Sequence, residues 1–229
     1  PLTAITNTTL LTCTNKHDVF EVSSGDHLYK YGNAGASDTK RKFTSSSSIE
    51  FDGSGDYIDI YGNNRAVQRF QSANDFTIEG WWLFDAITTR IPLISYGTGI
   101  NGSPRHESNW NLYHYSGNLN FGKYDGSSST IITKGWAPST DTWYHIAVTR
   151  SSGSLRMFID GTQIGTTESS NTVVYAQAND TDADPIRLGQ TVMANTTYNL
   201  NGYAQDVRVT FGLARYTSNF TPSTSTFKA

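Results

Sequence analysis

Two loop-forming stretches carry the side chains best suited to chemistry. Residues 101–115 hold Arg105, His106, Glu107, Asn109, Trp110, Tyr113 and Tyr115, and residues 173–184 hold Tyr175, Gln177, Asn179 and Asp180. Tyr124, Asp125 and Trp136 lie between them. Sugar recognition needs this mixture: an aromatic plate for the C–H face of a sugar ring, with amides, carboxylates and guanidinium groups for its hydroxyls. Arg105, His106, Glu107, Trp110, Tyr124, Tyr175 and Asn179 are therefore the candidate carbohydrate contacts. For Trp110 and Tyr113 the alternation of a strand offers a stronger alternative, a place in the core.

Catalysis finds less support. Retaining glycoside hydrolysis needs two carboxyl groups about 5–5.5 Å apart. No apolar strand carries alternating acids: Asp56 and Asp59 are three apart and point to opposite faces, while Glu50 and Glu79 stand alone. His106, His114 and His145 fall on different elements, and no Ser-His-Asp set, phosphate-binding Gly loop or zinc spacing can be assembled. Asp180, Asp182 and Asp184 imitate the first part of an EF-hand loop, but the Gly and Glu that complete it are missing. Asx-turn chemistry accounts for them equally well.

The elements that must position these groups are strands. Residues 75–84, 142–150 and 154–165 alternate polar and apolar side chains with β-branched and aromatic enrichment, and Asp160-Gly161 and Ser116-Gly117 are hairpin turns. Ile146 and Val148, taken with Trp143, face Met157 and Ile159 across one hairpin as inner-sheet core. Gly202 marks a close backbone approach, and Arg208 reaches outward to a carboxylate. Roughly 12 to 14 strands are expected, which two large antiparallel sheets in a jelly roll accommodate. The one helical signal is a single turn within residues 64–70. Residues 32–48, rich in Gly, Ser and Lys, read as a surface loop with too little apolar area to pack, and Lys40-Arg41-Lys42 as charges facing water. The main sandwich starts at Ser48. Residues 1–229 form a single domain in which 1–47 is a strand-and-loop extension contributing to the sheets.

Bulk properties agree. Charged residues make up 16% of the 229 and aromatics 13%, with 20 glycines, a balance that suits strands and turns. A net charge of −3 offers no basic footprint for nucleic acid. No run approaches the roughly 18 apolar residues of a membrane helix. The single cysteine, Cys13, cannot form an internal disulfide and reads as a small buried hydrophobe. The start at Pro1 shows neither the basic nor the apolar region of a signal peptide.

The order of motifs resembles the concanavalin A-like, laminin G-type superfamily, in the branch found in bacteriophage virion proteins. The matching pieces are Phe51-Asp52-Gly53-Ser54-Gly55-Asp56-Tyr57-Ile58, Asp75-Phe76-Thr77-Ile78-Glu79-Gly80-Trp81, Thr142-Trp143-Tyr144-His145-Ile146-Ala147-Val148-Thr149-Arg150 and Leu155-Arg156-Met157-Phe158-Ile159-Asp160-Gly161. Leu188-Gly189, Asn201-Gly202-Tyr203-Ala204-Gln205-Asp206-Val207-Arg208-Val209 and the distinctive ending Gly212-Leu213-Ala214-Arg215-Tyr216-Thr217-Ser218-Asn219-Phe220-Thr221-Pro222 complete the match over about residues 48–226. The resemblance implies a non-enzymatic virion surface protein of a tailed phage, such as a tail fibre or appendage, adhering to host-surface glycan. A decoration or assembly protein binding other virion subunits is the alternative, and a glycoside hydrolase the third. It also implies a homotrimer, while the charge and the lack of a long apolar run argue against a nucleic-acid partner and membrane insertion. The superfamily often carries Ca²⁺, for which the resemblance nominates Asp52 and Asp56 of the Asp-Gly-Ser-Gly-Asp turn together with Asp206.

Overall fold

The computed structural model describes residues 8–12, 20–22, 27–61, 75–96, 109–124, 128–169, 185–193 and 196–227. Among these there are strands and no helix. The helical turn expected within residues 64–70, and Cys13, lie outside the described residues. Short strands raise the strand total to 18, above expectation.

Two large antiparallel sheets form the sandwich. One runs β14 (Thr162–Ser169), β13 (Ser154–Ile159), β12 (Trp143–Ser151), β7 (Phe76–Phe84), β18 (Asn201–Phe211), β1 (Thr8–Thr12) and β2 (Phe20–Val22), with β5 (Ser48–Asp52) also on β18 and β4 (Gly35–Ser37) on β5. The other runs β11 (Ser128–Gly135), β10 (Asn118–Tyr124), β9 (Asn109–Tyr115), β8 (Arg90–Tyr96), β15 (Ile186–Leu188), β6 (Tyr57–Tyr61) and β3 (His27–Tyr31). A small hairpin of β16 (Gln190–Met193) and β17 (Thr196–Asn199) stands beside β8.

Alternation builds the core between the sheets. Phe76, Ile78, Trp82 and Phe84 of β7 face Trp110, Leu112, Leu119 and Phe121 of β9 and β10, joined by Ile58, Ile60, Ile186 and Leu188. Truncating a ring as enclosed as Trp82 costs about 3–5 kcal/mol. On β12 the period of two selects Tyr144, Ile146 and Val148 for the core side. Trp143 has the opposite parity and is half-buried, which corrects its expected core place. Asp160 and Gly161 take φ of 49° and 77°, the left-handed pair that a two-residue hairpin requires.

Every residue of β7 is buried, so its second face is covered too. Residues 212–227 lie across it. Thr77 Oγ1 donates to Leu213 O at 3.0 Å, Thr149 Oγ1 to Tyr216 O at 2.8 Å, and Phe220 N to Gly161 O at 2.9 Å. The tract 32–48, expected to be an unpacked loop, covers the neighbouring area. Gln205 Oε1 accepts from the amides of Lys42 and Phe43 at 2.7 and 3.1 Å, and its Nε2 donates to Ser46 Oγ at 2.7 Å. Phe43 packs edge-on against Trp81, Lys42 sits over the same ring, and Lys40 pairs with Asp85 and Asp141. Backbone bonding to one glutamine, the pairing of β4 with β5 and the buried ring of Phe43 together fix this tract.

Candidate functional site

Two polar clusters have the residue types of a functional site, one on the outer face of each sheet. The first centres on Glu79. A bulge in β18 lets Gln205 and Arg208, three apart, both face outward. Arg208 Nε and Nη2 then donate to Glu79 Oε1 at 2.9 and 2.6 Å, and Tyr216 OH donates to Oε2 at 2.8 Å. His145 Nε2 lies 3.3 Å from Oε2, and Arg215 Nε 3.8 Å from Oε1. Burial alone pushes Glu79 up, but His145, Arg208 and Tyr216 outweigh it and hold the carboxyl below its ordinary range. Glu79 and His145 are both 0% exposed. An acid, an imidazole, a phenol and two guanidiniums thus meet with the acid and the imidazole enclosed, Arg208 buried, and Arg215 and Tyr216 half-buried over them. The cluster fastens residues 212–227 onto the sheet. The carboxylate expected for Arg208 is there, but it is sealed.

The second cluster covers the outer face of the seven-stranded sheet. Odd-numbered residues of β3 and β6 point outward: Tyr31 stacks on Tyr57 with ring centroids 4.2 Å apart, and Tyr29 meets Tyr61 edge-on at 5.5 Å. Asp59, between Tyr57 and Tyr61 on β6, takes a bidentate bond from its cross-strand partner Arg187, Nε and Nη2 each donating at 2.7 Å. Burial works against the Arg187 charge, yet Asp59 keeps it firmly protonated. Its plane lies 3.9 Å from the Tyr57 ring, and Nη1 donates to Gln190 Oε1 at 3.0 Å. Gln190 Nε2 in turn donates to Asn199 Oδ1 at 3.0 Å. Burial and the neighbouring Asp59 push the Tyr61 phenol up to about 12, so it stays a neutral donor.

Further across the sheet the cross-strand partners of Arg187 and Tyr113 continue the polar face. Ser95 Oγ and Asn111 Oδ1 are buried with no hydrogen-bond partner, while Thr133 Oγ1 donates to Asn120 Oδ1 at 3.0 Å. Arg90 lies over Tyr113, Tyr115 and Tyr198 at 4.4, 4.5 and 5.3 Å. Tyr29, Tyr31 and Tyr115 are 52, 38 and 42% exposed. The exposed part of this face is thus its aromatic plates, while Asp59, Arg187, Gln190 and Ser95 are buried beneath them.

The loop residues expected to bind sugar meet this face only in part. Arg105, His106, Glu107, Tyr175 and Asn179 lie outside the described residues, as does the side chain of Tyr124, whose backbone ends β10. Trp110 takes the core place that strand alternation favoured, wholly buried because β9 turns its even positions inward, and is corrected as a sugar contact. Tyr113, three residues on, faces outward beneath Arg90 rather than into the core. Trp136 packs edge-on against Phe84 and Tyr144. The face itself had a signal in the sequence: Tyr29-x-Tyr31, Tyr57-x-Asp59-x-Tyr61 and Asn111-x-Tyr113-x-Tyr115, of which Tyr57-x-Asp59-x-Tyr61 alternates strictly with apolar residues.

The calcium trio does not assemble. Asp52 and Asp56 share the β5–β6 turn, but Asp56 Oδ1 accepts from Asn33 N at 2.7 Å and Oδ2 from Asp52 N at 2.9 Å, while Asp52 Oδ1 accepts from Ser54 N at 2.7 Å. The Asn33 amide, oriented to donate, lies 3.1 and 2.9 Å from Asp52 Oδ2 and Asp56 Oδ1, where a cation would sit. Asp206 is about 16 Å along β18 from the residue opposite Asp52 and accepts from Phe227 N at 2.8 Å. Among the described residues no three His, Cys, Asp or Glu side chains are grouped to hold a metal ion. These residues do not fit the ion.

Comparison with known proteins agrees with the fold. A laminin G-type family model, described as concanavalin A-like lectin/glucanases superfamily, matches residues 52–211. The chain belongs to the concanavalin A-like lectin/glucanase superfamily. No curated protein sequence matches it. Similar solved structures of the superfamily fold include a domain of botulinum neurotoxin type C, a toxin that depends on interaction with two ganglioside molecules to enter cells (14% identity, TM-score 0.62, 92% of this chain and 49% of that one). The binding domain of botulinum neurotoxin DC in complex with rat synaptotagmin II gives 14% identity, a TM-score of 0.64 and the same coverage, 92% and 49%. The binding domain of Paraclostridial Mosquitocidal Protein 1 gives 17% identity and a TM-score of 0.63 over 92% of this chain and 50% of that one. The chain spans about half the length of the structures it matches. Two of the three are named as binding domains, and none of the three is named as a phage protein.

Proposed function

We propose that this chain is a non-enzymatic carbohydrate-binding domain whose sugar surface is the outer face of the seven-stranded sheet. The carrying observation is the exposed tyrosine row of β3 and β6 beside the Arg187–Asp59 pair and the amides of Gln190 and Asn199. Tyrosine supplies apolar plates at low entropic cost, and the buried Arg187–Asp59 pair beneath Tyr57 holds the row in place. The superfamily and the binding domains that share its fold support a binding role. The one acid–imidazole cluster among the described residues, at Glu79, is closed to solvent, which favours binding over hydrolysis.

The setting we assign is the surface of a tailed-phage virion, with host glycan as partner and a homotrimer as the assembly, on the strength of the sequence resemblance. A second reading, an assembly protein for neighbouring virion subunits, is favoured by β3, an edge strand of its sheet with Tyr29, Lys30 and Tyr31 exposed. A glycan-array screen of the chain and of Tyr31→Ala separates them. The adhesion reading expects binding that the substitution weakens. Silence of the folded protein on every glycan would overturn it and favour the assembly role.

A further inference from the structure

Arg90 differs from Arg187 and Arg208, the two arginines fixed by buried carboxylates. Arg187 has Asp59 and Arg208 has Glu79, each through two short bonds. Arg90 has no carboxylate within ion-pair distance among the described residues. It is held instead by three tyrosine rings, Tyr113, Tyr115 and Tyr198, at 4.4, 4.5 and 5.3 Å from its guanidinium carbon. Two of these rings come from the neighbouring strand β9 and the third from the β16–β17 hairpin, so two separate elements flank the cation. Nη1 is shut away without a hydrogen bond, which leaves the Nε–Nη2 edge to an incoming group.

Cation–π contact stabilises a guanidinium without neutralising it. What remains is a positioned, half-buried positive charge presenting two parallel N–H groups beside the exposed ring of Tyr115. A planar carboxylate matches that edge in geometry and charge, and such charge-assisted pairs are about twice as strong as neutral hydrogen bonds. A hydroxyl would leave the charge uncompensated.

We propose that Arg90 reads the carboxylate of an acidic sugar, a uronic or nonulosonic acid, whose ring lies against Tyr115. This rests on the carbohydrate-binding reading of the same face and narrows it to anionic glycans.

The test compares carboxylate-bearing oligosaccharides of both acid classes with their methyl esters, with O-sulfated glucan oligosaccharides and with neutral glucan oligosaccharides, by calorimetry on the whole chain. Wild type is expected to bind at least one free acid tenfold or more tighter than its ester. Arg90→Gln is expected to abolish that difference, and Arg90→Lys, which keeps charge but loses the planar edge, to retain a small part of it. Thermal melts confirm folding of each variant, and Tyr115→Ala, at an exposed position, is expected to weaken acid binding should Arg90→Gln fail to fold. Equal binding of acid, ester and neutral sugar, unchanged in Arg90→Gln, would overturn the inference and leave the carbohydrate-binding reading standing. Preference for the sulfated probes over every carboxylate would overturn the assignment to sugar acids. Absence of binding to any probe would overturn the carbohydrate reading itself.

Discussion

Tyr31 and Tyr57 lie face to face across the β3–β6 pair, ring centroids 4.2 Å apart and planes 11° from parallel. The stack continues inward, because the other face of Tyr57 is available to Arg187, 3.9 Å from its ring centroid, and Arg187 is held by Asp59. The exposed plate is thus anchored through two further residues to the middle of the sheet. A ligand ring meeting Tyr31 meets a surface that does not need to order itself, which lowers the entropic cost of binding.

Tyr31→Ala removes the outermost plate without touching the core. Affinity for the bound glycan is expected to fall about tenfold, roughly 1.4 kcal/mol, while stability changes by no more than about 0.5 kcal/mol. Calorimetric titration and urea unfolding of the same preparation measure both. Unchanged affinity would place the sugar elsewhere.

Asp59→Ala strands Arg187, which is buried and oriented toward the lost carboxylate. Breaking a buried pair by removing one partner destabilises by about 3–5 kcal/mol, whereas replacing both partners with apolar residues of similar volume is close to neutral. Urea unfolding of Asp59→Ala is expected to show that loss, and the double variant Asp59→Leu, Arg187→Met to recover most of it. Equal losses in both would mean that the pair contributes through packing with Tyr57 instead.

The strands were legible because alternation and turn residues are local properties: β7, β12 and β13 stand where their patterns put them, and Asp160-Gly161 makes its turn. What covers a face was not legible. Glu79 read as an isolated acid because Arg208, its partner, is 129 residues away in the chain, and the wrapping segment with Tyr216 follows still later. Residues 32–48 read as an unpacked loop because composition counts apolar area and misses Gln205, one side chain satisfying several backbone groups. Strand alternation gave Trp110 its core place, but residues three apart on one strand take opposite faces, so Tyr113 could not share it. The tyrosine face escaped notice because its two halves, Tyr29-x-Tyr31 and Tyr57-x-Asp59-x-Tyr61, become one surface only through the β3–β6 register.

Asp56 is buried and accepts two backbone N–H groups, which join the β5–β6 turn to Asn33. Gly32 makes room for it, since a Cβ there would stand 2.2 Å from Asp56 Oδ1. Asp56→Ala leaves those donors without acceptors at about 1–3 kcal/mol. Because the carboxylate serves amides rather than a cation, the loss is expected to be the same in calcium and in chelator. A larger loss in calcium, read from paired thermal melts, would return Asp56 to the list of metal ligands.

Asp206 gives the chain a pH-dependent term of opposite sign to the usual carboxylate. It sits in the β18 bulge at φ 53°, with Oδ2 accepting from Phe227 N and Oδ1 buried without a partner. Burial, opposed by the Phe227 amide and Arg208, raises its pKa from 3.8 to about 7. The folded state therefore holds a proton that the unfolded state releases between these values, and stability falls as pH rises from about 4 to about 7, by up to ~4 kcal/mol from this group. Glu79, held below its ordinary range, acts the other way, its contribution present above the unfolded value and lost as pH falls through the folded one. Asp206→Asn keeps an oxygen for Phe227 N, tolerates the left-handed backbone and removes the titrating charge. The variant is expected to be more stable than wild type at pH 8 and to lack the decline between pH 4 and 7, measured by urea unfolding across that range. A wild-type curve that rises throughout the interval, unaltered by the substitution, would show that the carboxylate is ionised in its buried place and that Arg208 compensates it.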